Sequence, residues 1–258
     1  MTASQQPTTI LQTNSAIDTD VHVIAPAEKV AEYADDPYRQ RMKQEHCYPR
    51  SHGMLWDTHL GGKVQRRGLL SPEDVQTDVI DGLHIDQPFV NTVVTLAKIP
   101  DTKLAVHMVS AYNDYMLDTF FDGTDLRGYM LLGPHKPDIM AEEIDRLGDN
   151  DQIVGAFIVN TGIDPPLGDP RYDVMYKALE DNDLPLVCHG AGAGGFRDYF
   201  PLQNRGAESL LEVHTVAHMW SQSQTITSLI AHGTPVKFPD LNFVILEAGI
   251  AWVPWMMF

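Results

Sequence analysis

The sequence predicts an α/β protein built on a parallel sheet, and three observations carry that prediction. Six short apolar segments alternate with helical ones, the pattern of strands joined by helical crossovers. The residues able to do chemistry stand where those apolar segments end. At 258 residues the chain is also long enough for one barrel-sized domain, which takes about 250. From the pattern alone two architectures fit, an open doubly wound sheet and a (β/α)8 barrel.

The first strand lies in AIDTDVHVIAP, residues 16–26. Strand side chains alternate between faces, so Asp18, Asp20 and His22 share one face and Ile17, Thr19, Val21 and Val23 the other. A row of titratable groups on a buried strand is costly unless something compensates it. A bound cation is the simplest compensation; a turn capped by Asp18 or Asp20 is the alternative. Residues 27–70 then read as polar and irregular. A loop of this length is expected to serve function, with His46, His52 and His59 lining a substrate pocket and Arg50, Arg66 or Arg67 holding a carboxylate.

From Ser71 the text becomes regular. SPEDVQTDVIDGLHI opens a helix with Ser at the N-cap, Pro at the first helical position and acids in the first turn. PFVNTVVT is the second strand, residues 101–122 a helix, and LRGYMLLGP the third strand. KPDIMAEEIDRLG is a helix, IVGAFIVN the fourth strand, DPRYDVMYKALEDND a helix and LPLVCHG the fifth strand. A longer helical region fills much of 207–233, and LNFVILEAG is the sixth strand. No strand leads into G-x-G-x-x-G. GAGAGGF, residues 190–196, has the wrong spacing and opens onto RDYFPLQ rather than a helix, so a dinucleotide site is rejected.

Composition narrows the function classes. The 35 acidic residues against 18 basic ones give a formal net charge of −17. That argues against nucleic acid and anionic membranes as partners, since both are bound through Lys and Arg. No apolar run approaches the roughly 18 residues that span a bilayer. The N-terminal residues 1–15 lack the basic and apolar regions of a secretory signal and read as a disordered lead-in to a single domain over 16–258. Two cysteines, Cys47 and Cys188, are too few for a disulfide scaffold. A cytoplasmic protein is expected.

In either parallel architecture the working residues lie at the C-terminal ends of strands. His189 ends the fifth strand, Glu247 the sixth, and Asp20 and His22 the first. An Asp with two His is a mixed oxygen and nitrogen set suited to Zn²⁺ or another divalent transition metal. His214 and His218 are four apart on a helix and share a face. They lack the Glu of H-E-x-x-H and so are read as helix surface or pocket wall rather than ligands. His232 is placed at a helix C-terminus, and Trp220, Trp252 and Trp255 in the core or the pocket wall.

The D-x-H on the first strand, LPLVCHG and KFPDLNFVILEAGIAWVP together resemble the amidohydrolase superfamily, in particular the amidohydrolase-related branch. That branch includes aminocarboxymuconate-semialdehyde decarboxylase and the resorcylate decarboxylases. The resemblance spans about residues 16–258, and its most specific part is F-P-x-L-x-h-x-x-x-E-x-G-x-x-W-x-P. It implies a (β/α)8 barrel with about six of the eight strands present. It implies one divalent ion, Zn²⁺ before Mn²⁺, on Asp20, His22 and His189, because the strand-four lysine of binuclear members has no counterpart in IVGAFIVN.

Glu247 stands where many of these decarboxylases carry an acid–base His, and His218 matches a His before the helix leading to strand six. Both are expected to handle protons. The implied activity is decarboxylation of a small aromatic or unsaturated carboxylate with no organic cofactor. Hydrolysis of a lactone, ester or amide with Glu247 as base is the alternative, and a non-catalytic barrel fragment a further one. A homo-oligomer is allowed. The strand-eight Asp ligand of the family has no counterpart before Phe258. The chain is therefore expected to be a fragment, leaving the metal three protein ligands at most and the short polypeptide poorly soluble.

Overall fold

In the computed structural model all the expected strands form, and all pair in parallel. The structure describes residues 15–44, 68–190, 210–250 and 252–257. The strands are β1 (Ile17–His22), β2 (Gln87–Asn91), β3 (Arg127–Leu131), β4 (Ile153–Val159), β5 (Leu186–His189) and β6 (Phe243–Leu246). They lie side by side in the order β1-β2-β3-β4-β5-β6. Sequential order with a helical crossover after each strand is the winding of a (β/α) barrel, here as its first six strands.

Local signals account for the helices. The Ser71 side chain accepts the Asp74 N–H and starts α3 (Pro72–Val75), after the short helices α1 (Ala27–Val30) and α2 (Tyr38–Met42). The Asp101 carboxylate accepts the Leu104 N–H and starts α4 (Thr102–Met116). Then follow α5 (Pro137–Leu147), α6 (Asp173–Asp181), α7 (Leu210–Ala231), α8 (Thr234–Lys237) and α9 (Trp252–Met256). Both α3 and α4 end in wider π-type turns, Gln76–Asp81 and Leu117–Phe121. His232 does fall at the end of α7, its ring nitrogen on the Ser228 carbonyl.

Three readings need correction. Residues 27–33 and 38–42 are helical rather than irregular, because Val30, Ala31 and Met42 are fully buried and anchor these short turns in the core. The first strand is only half buried: Ile17 is 54% exposed, and among the described strands β1 has a partner on one side only. Trp220 is 37% exposed on α7, which rules out the core half of its reading. The side chain of Trp255, like that of His214, lies outside the described residues, as do His46, His52, His59, Arg50, Arg66 and Arg67.

The sheet is covered on its outer face by helices, and its inner face carries alternate residues of each strand. Phe89, Tyr129 and Phe157 form a continuous row there, with ring centroids 6.1 Å apart at each step. Phe157 then meets the His189 ring at 5.5 Å. Each fully buried ring of this size contributes about 1.5–3 kcal/mol relative to exposure. This aromatic layer is the floor on which the strand-end residues stand.

Candidate metal centre at the strand ends

The inner-face parity that places Phe157 in the floor brings His189, Asp20, His22 and Glu247 together above it. One donor atom from each lies within 4.8 Å of all the others. The β1–β2 register slips between Asp18 and Val21, an extra residue on β1. Such a bulge re-aims the side chains beyond it. Asp18 is accordingly not in the cluster; its Oδ1 accepts the Asp20 N–H at 3.0 Å, the turn-type role that was its alternative.

Asp20 is held from two sides. Its Oδ1 takes a hydrogen bond from the Asn91 amide at 2.9 Å and lies 3.1 Å from His22 Nε2. Burial works against its charge, but the His22 hydrogen bond, His189 and Asn91 outweigh burial and hold its pKa below the usual value. His189 is fully buried, and burial first of all drives its pKa down to about 4. It is therefore a neutral imidazole, the form a metal needs. Its Nδ1 points to the Gly190 carbonyl at 2.5 Å, which leaves Nε2 facing the cluster.

That Nε2 lies 3.6 Å from Asp20 Oδ2 and 3.5 Å from Glu247 Oε2. Both exceed ordinary N–H···O lengths of about 2.7–3.2 Å. A buried neutral imidazole facing two carboxylate oxygens at those distances fits a shared divalent cation, with His22 as a further nitrogen donor.

Glu247 follows β6 and has φ of +51°, a left-handed conformation unusual outside glycine. Desolvation, then repulsion from Asp20, raises its pKa. Two carboxylates pushed in opposite directions within one site suit different roles. His218 reaches in from α7, with Nε2 3.3 Å from Glu247 Oε2 and its ring 5.6 Å from that of His189. Gly190 makes room for it: a Cβ there would meet His218 Nδ1 at 2.8 Å.

A match to the amidohydrolase family runs over residues 17–258. The chain belongs to that family. Solved structures agree on the fold. An amidohydrolase from Mycobacterium avium subsp. paratuberculosis K-10 superposes with a TM-score of 0.73 at 17% identity, covering 95% of this chain and 76% of its own. The 5-carboxyvanillate decarboxylase of Novosphingobium aromaticivorans DSM 12444, complexed with manganese and 4-hydroxy-3-methoxy-5-nitrobenzoic acid, gives 0.65 at 21% identity, with 89% of this chain and 64% of its own covered. A 2,6-dihydroxybenzoate decarboxylase from Rhizobium gives 0.59 at 17%, covering 95% and 70%. The chain thus spans about two thirds to three quarters of the length of these amidohydrolase structures. No individual curated protein matches it significantly.

The five residues expected to bind metal or handle protons, Asp20, His22, His189, His218 and Glu247, meet at this one mouth. Glu247 departs from its expected place in one respect, since its carboxylate lies inside the donor group and offers a fourth protein ligand atom rather than leaving three. Sequence reasoning missed Asn91 and Gln222. Gln222 had a weak signal: His218, Ser221, Gln222 and Thr225 share helical spacing, and all four are buried.

Proposed function

We propose that this amidohydrolase is a metal-dependent carboxy-lyase that removes CO2 from a small aromatic or unsaturated carboxylate without an organic cofactor. One observation supports it above the others: a carboxylate and two imidazoles converge at the strand ends, with a second carboxylate and a third imidazole beside them. Asp20, His22 and His189 hold one divalent ion in this reading, Zn²⁺ or Mn²⁺; the manganese in the Novosphingobium enzyme supports the second. When bound, the ion polarises substrate oxygen atoms. Glu247 and His218 are the proton-handling pair. Glu247 delivers its carboxyl proton to the carbon as the bond to the departing carboxylate breaks, and His218, in contact with Glu247 Oε2, restores that proton.

A second reading, hydrolysis of a lactone, ester or amide, is favoured by one specific feature. The Glu247 carboxylate, within reach of the other donor atoms, would be the base that takes a proton from an attacking water. A single domain, a cytoplasmic setting, a homo-oligomeric state and the absence of nucleic-acid and membrane partners belong to the same proposal; the net charge of −17 supports the last two. Among the described residues no helix is long and apolar enough to cross a membrane.

The test is to load the protein with Zn²⁺ or Mn²⁺ and offer carboxyl-labelled hydroxybenzoates, unsaturated carboxylates, lactones and amides. Metal-dependent release of labelled CO2 is expected. Ring opening or amide cleavage without CO2 would replace this reading by the hydrolytic one.

A further inference from the structure

We infer that Gln222 is a positioning residue whose side-chain amide ties the ends of β5 and β6 together and sets the spacing of His189 and Glu247. Its Nε2 donates to the Cys188 carbonyl at 2.9 Å and to the Leu246 carbonyl at 3.0 Å. Those carbonyls belong to the peptide groups that join Cys188 to His189 and Leu246 to Glu247. One side chain therefore fixes the two peptide planes from which both site residues project. The last backbone pair of the β5–β6 ladder is His189 with Leu246, so the amide continues the pairing at the point where the strands stop.

The orientation of that amide is itself determined. Gln222 is 0% exposed. Its Oε1 accepts from Asn160 Nδ2 at 2.5 Å, and Asn160 Oδ1 takes the Ser221 hydroxyl at 3.1 Å. Asn160 directly follows β4, so the network joins three neighbouring strand ends to α7. A flipped amide would lose all three of the bonds that Gln222 makes. The left-handed backbone of Glu247 adds a reason for the clamp, because a non-glycine residue stays there only when its surroundings hold it. Gln222 also lies one turn beyond His218, so the same contact fixes the depth at which α7 brings that imidazole to Glu247.

This inference rests on the metal site proposed above, and the experiment separates the two. Zn²⁺ and Co²⁺ affinity are measured by titration, and the Co²⁺ visible spectrum is recorded, for the unmodified protein, Gln222→Leu, Ser228→Ala and the double variant His22→Ala with His189→Ala. Ser228 is the control: it is buried on the same helix, and its hydroxyl accepts the Gly168 N–H at 3.0 Å, away from the strand ends. Gln222→Leu is expected to weaken both metals at least tenfold and to change the Co²⁺ spectrum, with Ser228→Ala within twofold of the unmodified protein. Equal losses in both variants would reduce Gln222 to a packing residue and overturn the inference. Unchanged affinity in Gln222→Leu, with metal lost in the double histidine variant, would overturn it too while leaving the metal site intact. Metal retained in the double variant would instead remove the site. Should Gln222→Leu not fold, Gln222→Met keeps the side-chain length, removes both donated bonds and carries the same expectations.

Discussion

The two ends of the sheet are both rich in acids, yet they are built differently. At the N-terminal end a cavity of about 670 Å³ is lined by Glu73, Asp86, Asp125 and Asp151, together with Arg127 and Gln152. All four of those acids are exposed. They sit on turns and helix starts that face water, and among the described residues no imidazole lines the cavity. At the C-terminal end the acids come from strand ends, lean towards one point and are held there. Asn91 grips Asp20, and His189 and His218 both contact Glu247. Volume and acidity alone therefore do not make a site. Convergence does, and convergence comes from the common inner-face parity of parallel strands that all end at one mouth.

The sharpest way to break this comparison is to empty the C-terminal mouth of imidazole. Replacing His22 and His189 together by Ala should take the metal content from about one ion per chain to none, read by elemental analysis after dialysis. Retained metal would place the centre elsewhere. Glu247→Gln keeps size and hydrogen bonding but removes the carried proton. It is expected to lower kcat by about 10²–10⁴-fold with a much smaller change in KM. Turnover close to normal would move the role to His218.

Smaller effects sharpen the contrast. Asn91→Ala leaves every ligand in place and removes only the hand on Asp20, so metal affinity should weaken by about 10–100-fold; titration that shows no change would mean Asp20 needs no support. At the opposite end, Asp125→Asn with Asp151→Asn should leave metal content and activity as they were and shift stability by no more than about 0.5 kcal/mol, measured by denaturant unfolding. A lost ion in that variant would show that the exposed acids do matter.

Much of this was legible one element at a time. The alternation of apolar runs with helical ones determined a parallel α/β fold, because strand and helix periods and the Ser71 cap are local properties. D-x-H, CHG and LEAG placed Asp20, His22, His189 and Glu247 at strand ends for the same reason. Tertiary structure decided the rest. The bulge in β1 separated Asp18 from Asp20, and Ile17 stayed exposed. Residues 27–33 and 38–42 became helical because the core had places for Val30 and Met42. Above all, the entry of Glu247 into the donor group and the grip of Asn91 and Gln222 on their partners depend on contacts between residues 71 and 34 or 24 positions apart. Local propensity carries no information at such separations; only the closing of the sheet brings these groups within a hydrogen bond of one another.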